Sequence, residues 1–233
     1  MQAIILAGGF GTRLRTVITD LPKPLAPIQG KPFLAHLLDY LHAQGITRVI
    51  LSVHFMHEKI QSYFQSSYRG ISIDYAIEEQ PLGTGGAILN SLSLVDPKQP
   101  VFVLNGDTFL KLNYQTLMTL HQTSPQTSIT MTLRFVPDAS RYGLVLTKGN
   151  QVIAFQERGG QEPGCINAGV YLINPYLFET FSLSRAFSFE KEFLFPEVNQ
   201  LKPLALVVDD YFIDIGVPED YARAMREFSN DGL

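Results

Sequence analysis

Hydrophobic positions come in short runs that alternate with amphipathic stretches over the first half of the chain. Ala3–Leu6 is a continuous apolar run that ends in glycines, the pattern of a buried strand. Phe33, Leu34, Leu37, Leu38 and Leu41 fall on one helical face, with Pro32 at the start and Gly45 beyond the end. Residues 48–53 (RVILSV) read as a second strand, and Ile60, Tyr63 and Phe64 as another helical face. Ile71, Ile73, Tyr75 and Ile77 alternate as in a strand. Residues 85–92 form a short helical stretch and 101–104 a further buried strand. Strands alternating with helices predict a Rossmann-like α/β fold with a mixed, mainly parallel central sheet and helices on both faces.

The pattern changes near residue 110. Strands are expected over 129–135, 144–146, 152–155, 166–173 and 204–208, with less helix between them. This predicts a mixed or antiparallel extension of the sheet. Helices are expected over 176–181 and 189–198, and from Pro218 to about Phe228. No internal repeat or linker breaks the chain. A single domain over 1–233 is therefore expected, with one half to about residue 110 and another over about 111–228.

Two glycine-rich turns follow strands. Gly8-Gly9-Phe10-Gly11-Thr12-Arg13 offers bare backbone N–H groups at a strand end, where no Cβ blocks the approach of phosphate oxygens. The dinucleotide fingerprint fails because Leu14 stands where a third glycine is needed, and the P-loop fails because Thr12-Arg13 follows Gly11. Arg13, and Lys23 between Pro22 and Pro24, add positive charge, which points to a nucleoside triphosphate. The second turn, Gln80-Pro-Leu-Gly83-Thr-Gly-Gly-Ala87, admits a flat base, with the Gln80 amide and backbone groups at its edge. It also reads as a helix entry capped by Thr84, and the two readings are compatible.

Asp107 and Asp214 each follow an apolar run. An ionised Asp there is costly unless paired or metal-bound, so together they predict a two-carboxylate Mg²⁺ site. Asn105-Gly-Asp107 is also good turn chemistry.

Composition narrows the options. The chain has 233 residues, 45% of them hydrophobic, and a net charge of −4, which disfavours nucleic-acid and anionic-membrane partners. No apolar run approaches the roughly 18 residues of a bilayer span. The one cysteine, Cys165, precludes an internal disulfide and suggests a reduced, cytoplasmic setting. It reads as a core residue.

The motifs together resemble the sugar-phosphate nucleotidyltransferases. The signature G-G-x-G-T-R-L followed by P-K-P stands here at residues 8–14 and 22–24. Further matches are Pro81–Gly85, Asn105–Asp107, Tyr142-Gly143, Glu157-Arg158, Asn167–Gly169 and Asp214–Gly216. Within that family the short chain and the segment 211–221 are most similar to guanylyltransferases acting on D-glycero-α-D-manno-heptose 1-phosphate.

The resemblance implies transfer of a nucleotidyl group from an NTP, GTP in the first instance, to a sugar 1-phosphate, the heptose phosphate in the first instance. Leu6, Ala7, Gly8, Gly9, Gly11, Thr12, Arg13, Gln80, Gly83 and Asp107 would bind the nucleotide. Arg13, Lys23, Asp107 and Asp214 would carry catalysis, with Mg²⁺ on the two aspartates. Gly143, Glu157, Arg158 and Asn167 would hold the sugar phosphate. Arg158 replaces the lysine usual in the family; it keeps the charge but is longer and planar. UTP with N-acetylmuramic acid 1-phosphate, or another hexose 1-phosphate, is the rival substrate pair. A non-catalytic nucleotide-sugar sensor is the rival class, expected to lack Arg13, Lys23 or a metal carboxylate. A monomer or small homo-oligomer is expected.

Overall fold

The computed structural model describes residues 1–14, 17–124, 126–156 and 162–228. The first half is built from β1 (Gln2–Leu6), β2 (Pro27–Ile28), β3 (Lys31–Pro32), α1 (Phe33–Ala43), β4 (Arg48–Val53), α2 (His57–Phe64), β5 (Ser67–Tyr68), β6 (Ile71–Ile77) and α3 (Gly83–Leu92). Then come β7 (Val101–Asn105), β8 (Thr108–Leu110), α4 (Tyr114–Gln122), β9 (Ile129–Val136), β10 (Leu144–Lys148), β11 (Gln151–Gln156) and β12 (Gly164–Ile173). The chain closes with α5 (Val198–Leu201), β13 (Leu204–Val208), β14 (Phe212–Asp214) and α6 (Pro218–Glu227).

One ten-stranded sheet runs through both halves in the order β10-β11-β13-β9-β12-β7-β1-β4-β6-β5. Strands β6, β4, β1 and β7 are parallel neighbours. Strand β12 runs antiparallel to both β7 and β9, β9 pairs in parallel with β13, and β10–β11 and β11–β13 are antiparallel. The sheet is therefore mixed and partly antiparallel, and the expectation of a mainly parallel sheet gives way to it. Hydrophobic runs reveal strands but not their direction, which short connections such as that between β10 and β11 decide.

Helices cover both faces, as the alternation predicts. On one face α1, α2, α4 and α6 bury Phe33, Leu37, Phe64, Tyr114, Leu117 and Ala224 against Ile5, Leu51 and Phe102. On the other, α3, a π-helical turn at Phe189–Leu194 and α5 bury Ile88, Phe189, Phe193 and Leu201 against Ile4, Ile50 and Val103. Each fully buried Phe or Leu contributes about 1.5–3 kcal/mol of burial.

Two expected helices come out differently. Residues 176–181 form successive turns, with hydrogen bonds from Leu177 N to Asn174 O, Glu179 N to Tyr176 O and Phe181 N to Phe178 O, all three residues back. Leu177 and Phe178 still reach the core, so tertiary burial is met without a helix. The expected helix over 189–198 splits into the π-helical turn and the four-residue α5. In β6 the alternation fades at its end: Ile71 and Ile73 are buried, but Ile77 is exposed and Ala76 is buried instead. Helix α4, unforeseen, has the signature of one: Asn113 caps it by accepting from Thr116 N, and Tyr114, Leu117, Met118 and His121 share its buried face.

Candidate active site

The carboxyl ends of β1, β4, β6 and β7 lie on one edge of the sheet. The chain passes from β1 to β4 and β6 on one side and returns to β7 on the other. The order thus reverses between β1 and β7, where α/β sheets form their ligand crevices. A cleft of about 410 Å³ opens there. It is lined by Leu6, Gly8, Gly9 and Phe10 after β1, His54 after β4, and Glu78 after β6. Gly83 and Thr84 of α3, Asn105 and Asp107 around the end of β7, Glu190 of the π-helical turn and Asp214 also line it. Leu6 and Asn105 are register partners, and Gly106 N donates to Leu6 O at 2.9 Å. A Cβ on Gly106 would meet that carbonyl at 2.6 Å, so only glycine lets the two strand ends close on each other.

Lys23 is placed by its neighbours. Pro22 and Pro24 fix a single 3₁₀ turn, with Leu25 N bonded to Pro22 O at 2.8 Å and Pro24 and Leu25 buried beneath it. The Lys23 side chain is only 10% exposed. Its Nζ is ion-paired to Asp107 and lies 3.9 Å from Asp214 Oδ1. The two aspartates meet because β8 and β14 form a small antiparallel ribbon that sets Asp214 opposite Thr108, while Ile215 N donates to Asp107 O at 2.9 Å. Burial pushes the Asp214 carboxyl above its ordinary range and the Asp107 charge pushes the same way. Lys23, the Gly216 N–H (2.7 Å to Asp214 Oδ1) and Arg13 oppose this. Two half-buried hard-oxygen carboxylates that repel each other suit a small divalent cation.

Of the sequence-derived nucleotide residues, Leu6, Gly8, Gly9, Gly83 and Asp107 line the cleft. Ala7 is buried behind the turn, bonded through its N–H to Ser52 O at 2.8 Å. Thr12 and Arg13 are exposed on the continuation of the loop, and Gly11 packs against the Lys23 side chain. Gln80 is exposed and is not among the cleft residues. Thr84 does not cap α3; its hydroxyl accepts from Phe189 N at 2.8 Å and donates to Glu190 Oε2 at 3.1 Å. Gly143 and Asn167 sit together in a separate cavity of about 110 Å³ with Tyr142 and Phe155. Glu157 and Arg158 lie outside the described residues. Cys165 is half-buried, its thiol pushed up by burial, and lines neither cavity.

Three titratable residues of the cleft, Glu78, His54 and Glu190, had no role assigned from the sequence. Glu78 is 8% exposed; its Oε1 accepts from Ser52 Oγ and its Oε2 from Leu82 N, both at 3.0 Å. It abuts the glycine turn so closely that a Cβ on Gly8 would lie 2.9 Å from Oε1. His54 Nδ1 donates to the Glu78 carbonyl at 2.7 Å. The sequence offered only a partial signal for Glu78, which follows the strand expected over 71–77; its approach to the glycine turn depends on β6 lying next but one to β1 on the edge where ligands bind. Glu190 had no such signal.

The chain matches the model of the nucleotidyl transferase family over residues 2–231. It is 46% identical over 230 residues to a D-glycero-alpha-D-manno-heptose 1-phosphate guanylyltransferase of Aneurinibacillus thermoaerophilus, covering 99% of each chain. A protein of the same name from Campylobacter jejuni is 47% identical over 222 residues, covering 95% of this chain and 97% of that one. Among solved structures, HddC from Yersinia pseudotuberculosis superposes with a TM-score of 0.84 at 36% identity, over 98% of this chain and 99% of that one. The same protein is also solved in complex with GMP-PN, at a TM-score of 0.83.

Proposed function

This chain belongs to the nucleotidyl transferase family, and from that membership we propose that it transfers the guanylyl group of GTP to D-glycero-α-D-manno-heptose 1-phosphate, yielding GDP-heptose and pyrophosphate. The full-length relatives of that name support the substrate pair. The observation that carries the base is Glu78. Its carboxylate lines the cleft with two acceptor positions left after Ser52 and Leu82 are served. Guanine alone among the common bases presents two adjacent donors, N1–H and the 2-amino group, to such an acceptor. Adenine and cytosine pair a donor with an acceptor, and uracil flanks one donor with two acceptors.

The reaction needs no general base. The second pKa of a phosphate monoester is about 6, so the sugar phosphate is largely a dianion at pH 7. One of its oxygens bonds to the α-phosphorus as the bond to the β-phosphate oxygen breaks, and pyrophosphate leaves with the electron pair. The obstacle is the meeting of two polyanions, so catalysis consists of alignment and charge neutralisation. In this reading the N–H groups of Gly8, Gly9, Gly11 and Thr12 hold the triphosphate. Arg13 steadies the leaving pyrophosphate. Lys23 reaches the reacting phosphates from its position between the aspartates. Asp107 and Asp214 would hold Mg²⁺, which supplies charge neutralisation on the phosphate oxygens. The first half of the chain serves the nucleotide and the second the sugar phosphate, through Gly143 and Asn167 together with Glu157 and Arg158. A reduced, cytoplasmic setting accords with the single cysteine. Pyrophosphate release from GTP in the presence of the heptose phosphate tests the proposal.

A further inference from the structure

Glu190 belongs to no motif, yet it enters the cleft from a π-helical turn, a conformation that recurs at functional sites. Its surroundings fix what it can do. Gly169 N donates to Asn167 Oδ1 at 3.0 Å, and a backbone N–H can only donate. The Asn167 amide therefore presents its NH₂ to Tyr171 Oη, 2.6 Å away, and the Tyr171 proton turns to Glu190 Oε1 at 3.0 Å. On the other side Phe189 N donates to Thr84 Oγ1, so the Thr84 proton turns to Glu190 Oε2. Two backbone N–H groups thus polarise two relays that converge on one carboxylate, and both oblige it to accept. Burial and the neighbouring Glu190 charge both push the Tyr171 hydroxyl well above its usual range, so it remains a donor.

A carboxylate offers about four acceptor positions, and Tyr171 and Thr84 take two. Whatever fills the others must donate. A phosphate oxygen is repelled, and among the described residues no group of three or more His, Cys, Asp or Glu side chains that could hold a metal ion gathers around it. A vicinal pair of neutral hydroxyls fits, one to each oxygen. The cationic Lys23 stands with Asp107 and Asp214 elsewhere along the same cleft. Phosphates and hydroxyls are thereby sorted between separate groups.

We infer that Glu190 is a specificity-determining residue that accepts hydrogen bonds from the vicinal hydroxyls of a sugar ring bound in the cleft. The inference rests on the nucleotidyl-transfer reading above and adds a residue to it. The hydroxyls belong either to the nucleotide ribose or to the sugar 1-phosphate, and analogues separate the two.

The test is kcat/KM for wild type, Glu190→Gln and Tyr171→Phe. Each is assayed with GTP, 2′-deoxy-GTP and 3′-deoxy-GTP, and with mannose 1-phosphate and its 2-deoxy analogue beside the heptose phosphate. In wild type, deleting the hydroxyl that meets Glu190 should cost about 10-fold or more, as expected for a hydrogen bond to a charged group. In Glu190→Gln that penalty should fall to near unity, and in Tyr171→Phe it should shrink. Collapse in the nucleotide arm assigns the ribose; collapse in the sugar arm assigns the sugar 1-phosphate. Penalties that persist unchanged in a folded Glu190→Gln enzyme overturn the inference and leave nucleotidyl transfer standing. Absence of turnover in wild type with every pair overturns the transfer reading, and this inference with it.

Discussion

Lys23 Nζ stands 3.9 Å from Asp214 Oδ1 while ion-paired to Asp107, so one ammonium joins two carboxylates from distant parts of the chain. In the free protein it neutralises the carboxylates that a bound divalent cation would neutralise during turnover. Replacing it with Met keeps the length and removes the charge. Turnover by Lys23→Met should fall by about 10²–10³, the loss seen when a preorganised charge-stabilising group is removed. The variant should still fold, since Pro22 and Pro24 set the backbone here. A rate near wild type would place Lys23 outside the chemistry.

The two aspartates predict a metal dependence. EDTA should abolish pyrophosphate release in wild type, and Mg²⁺ should restore it. Asp214→Asn should resist restoration while keeping its melting temperature, because the amide removes the charge that Asp107 opposes and the metal needs. Full activity of wild type in EDTA would contradict the assignment.

Glu78 predicts the base. Inosine triphosphate lacks the 2-amino group, so wild type should prefer GTP to ITP by about 10- to 100-fold in kcat/KM. Glu78→Gln should lose most of that preference, since its amide cannot accept from both donors. An unchanged GTP/ITP ratio in Glu78→Gln would assign the carboxylate a purely structural part with Ser52 and Leu82.

Acid stability should depend on buried histidines. Burial holds His121 below its ordinary 6.5, opposed by the bond of its Nε2 to Asn174 Oδ1 at 3.1 Å, and burial lowers His36 likewise. The unfolded chain therefore takes up protons first as pH falls through about 6.5, and the stability present above that pH is lost progressively below it. The unfolding midpoint should drop between pH 7 and pH 5, and less steeply in His121→Gln. Equal slopes for the two proteins would assign the acid loss to other groups.

Much of this was legible in the sequence, for one reason. Gly8–Arg13, Lys23, Asp107 and Asp214 sit in local contexts that fix their placement: a strand that empties into glycine, two prolines around a lysine, carboxylates that end apolar runs. Helix α4 carried a cap and a buried face that local reading could have found, although its threonines masked it. What the sequence withheld was non-local. Glu78 follows a strand and is followed by Glu79 and Gln80, which reads as a solvated turn until the register of β6 beside β4 brings it back to Gly8. Glu190 depends on a π-helical turn and on partners at Thr84 and Tyr171, which only the packing of Phe189 and Phe193 into the sheet brings near.

Pyrophosphate release with Mg²⁺, crossing GTP, UTP, CTP, ATP and dTTP with the 1-phosphates of heptose, mannose, glucose and N-acetylmuramic acid, tests the account most directly. It predicts the highest kcat/KM for GTP with D-glycero-α-D-manno-heptose 1-phosphate. Faster turnover of UTP with an amino sugar, or tight binding of a nucleotide sugar without any turnover, would contradict it.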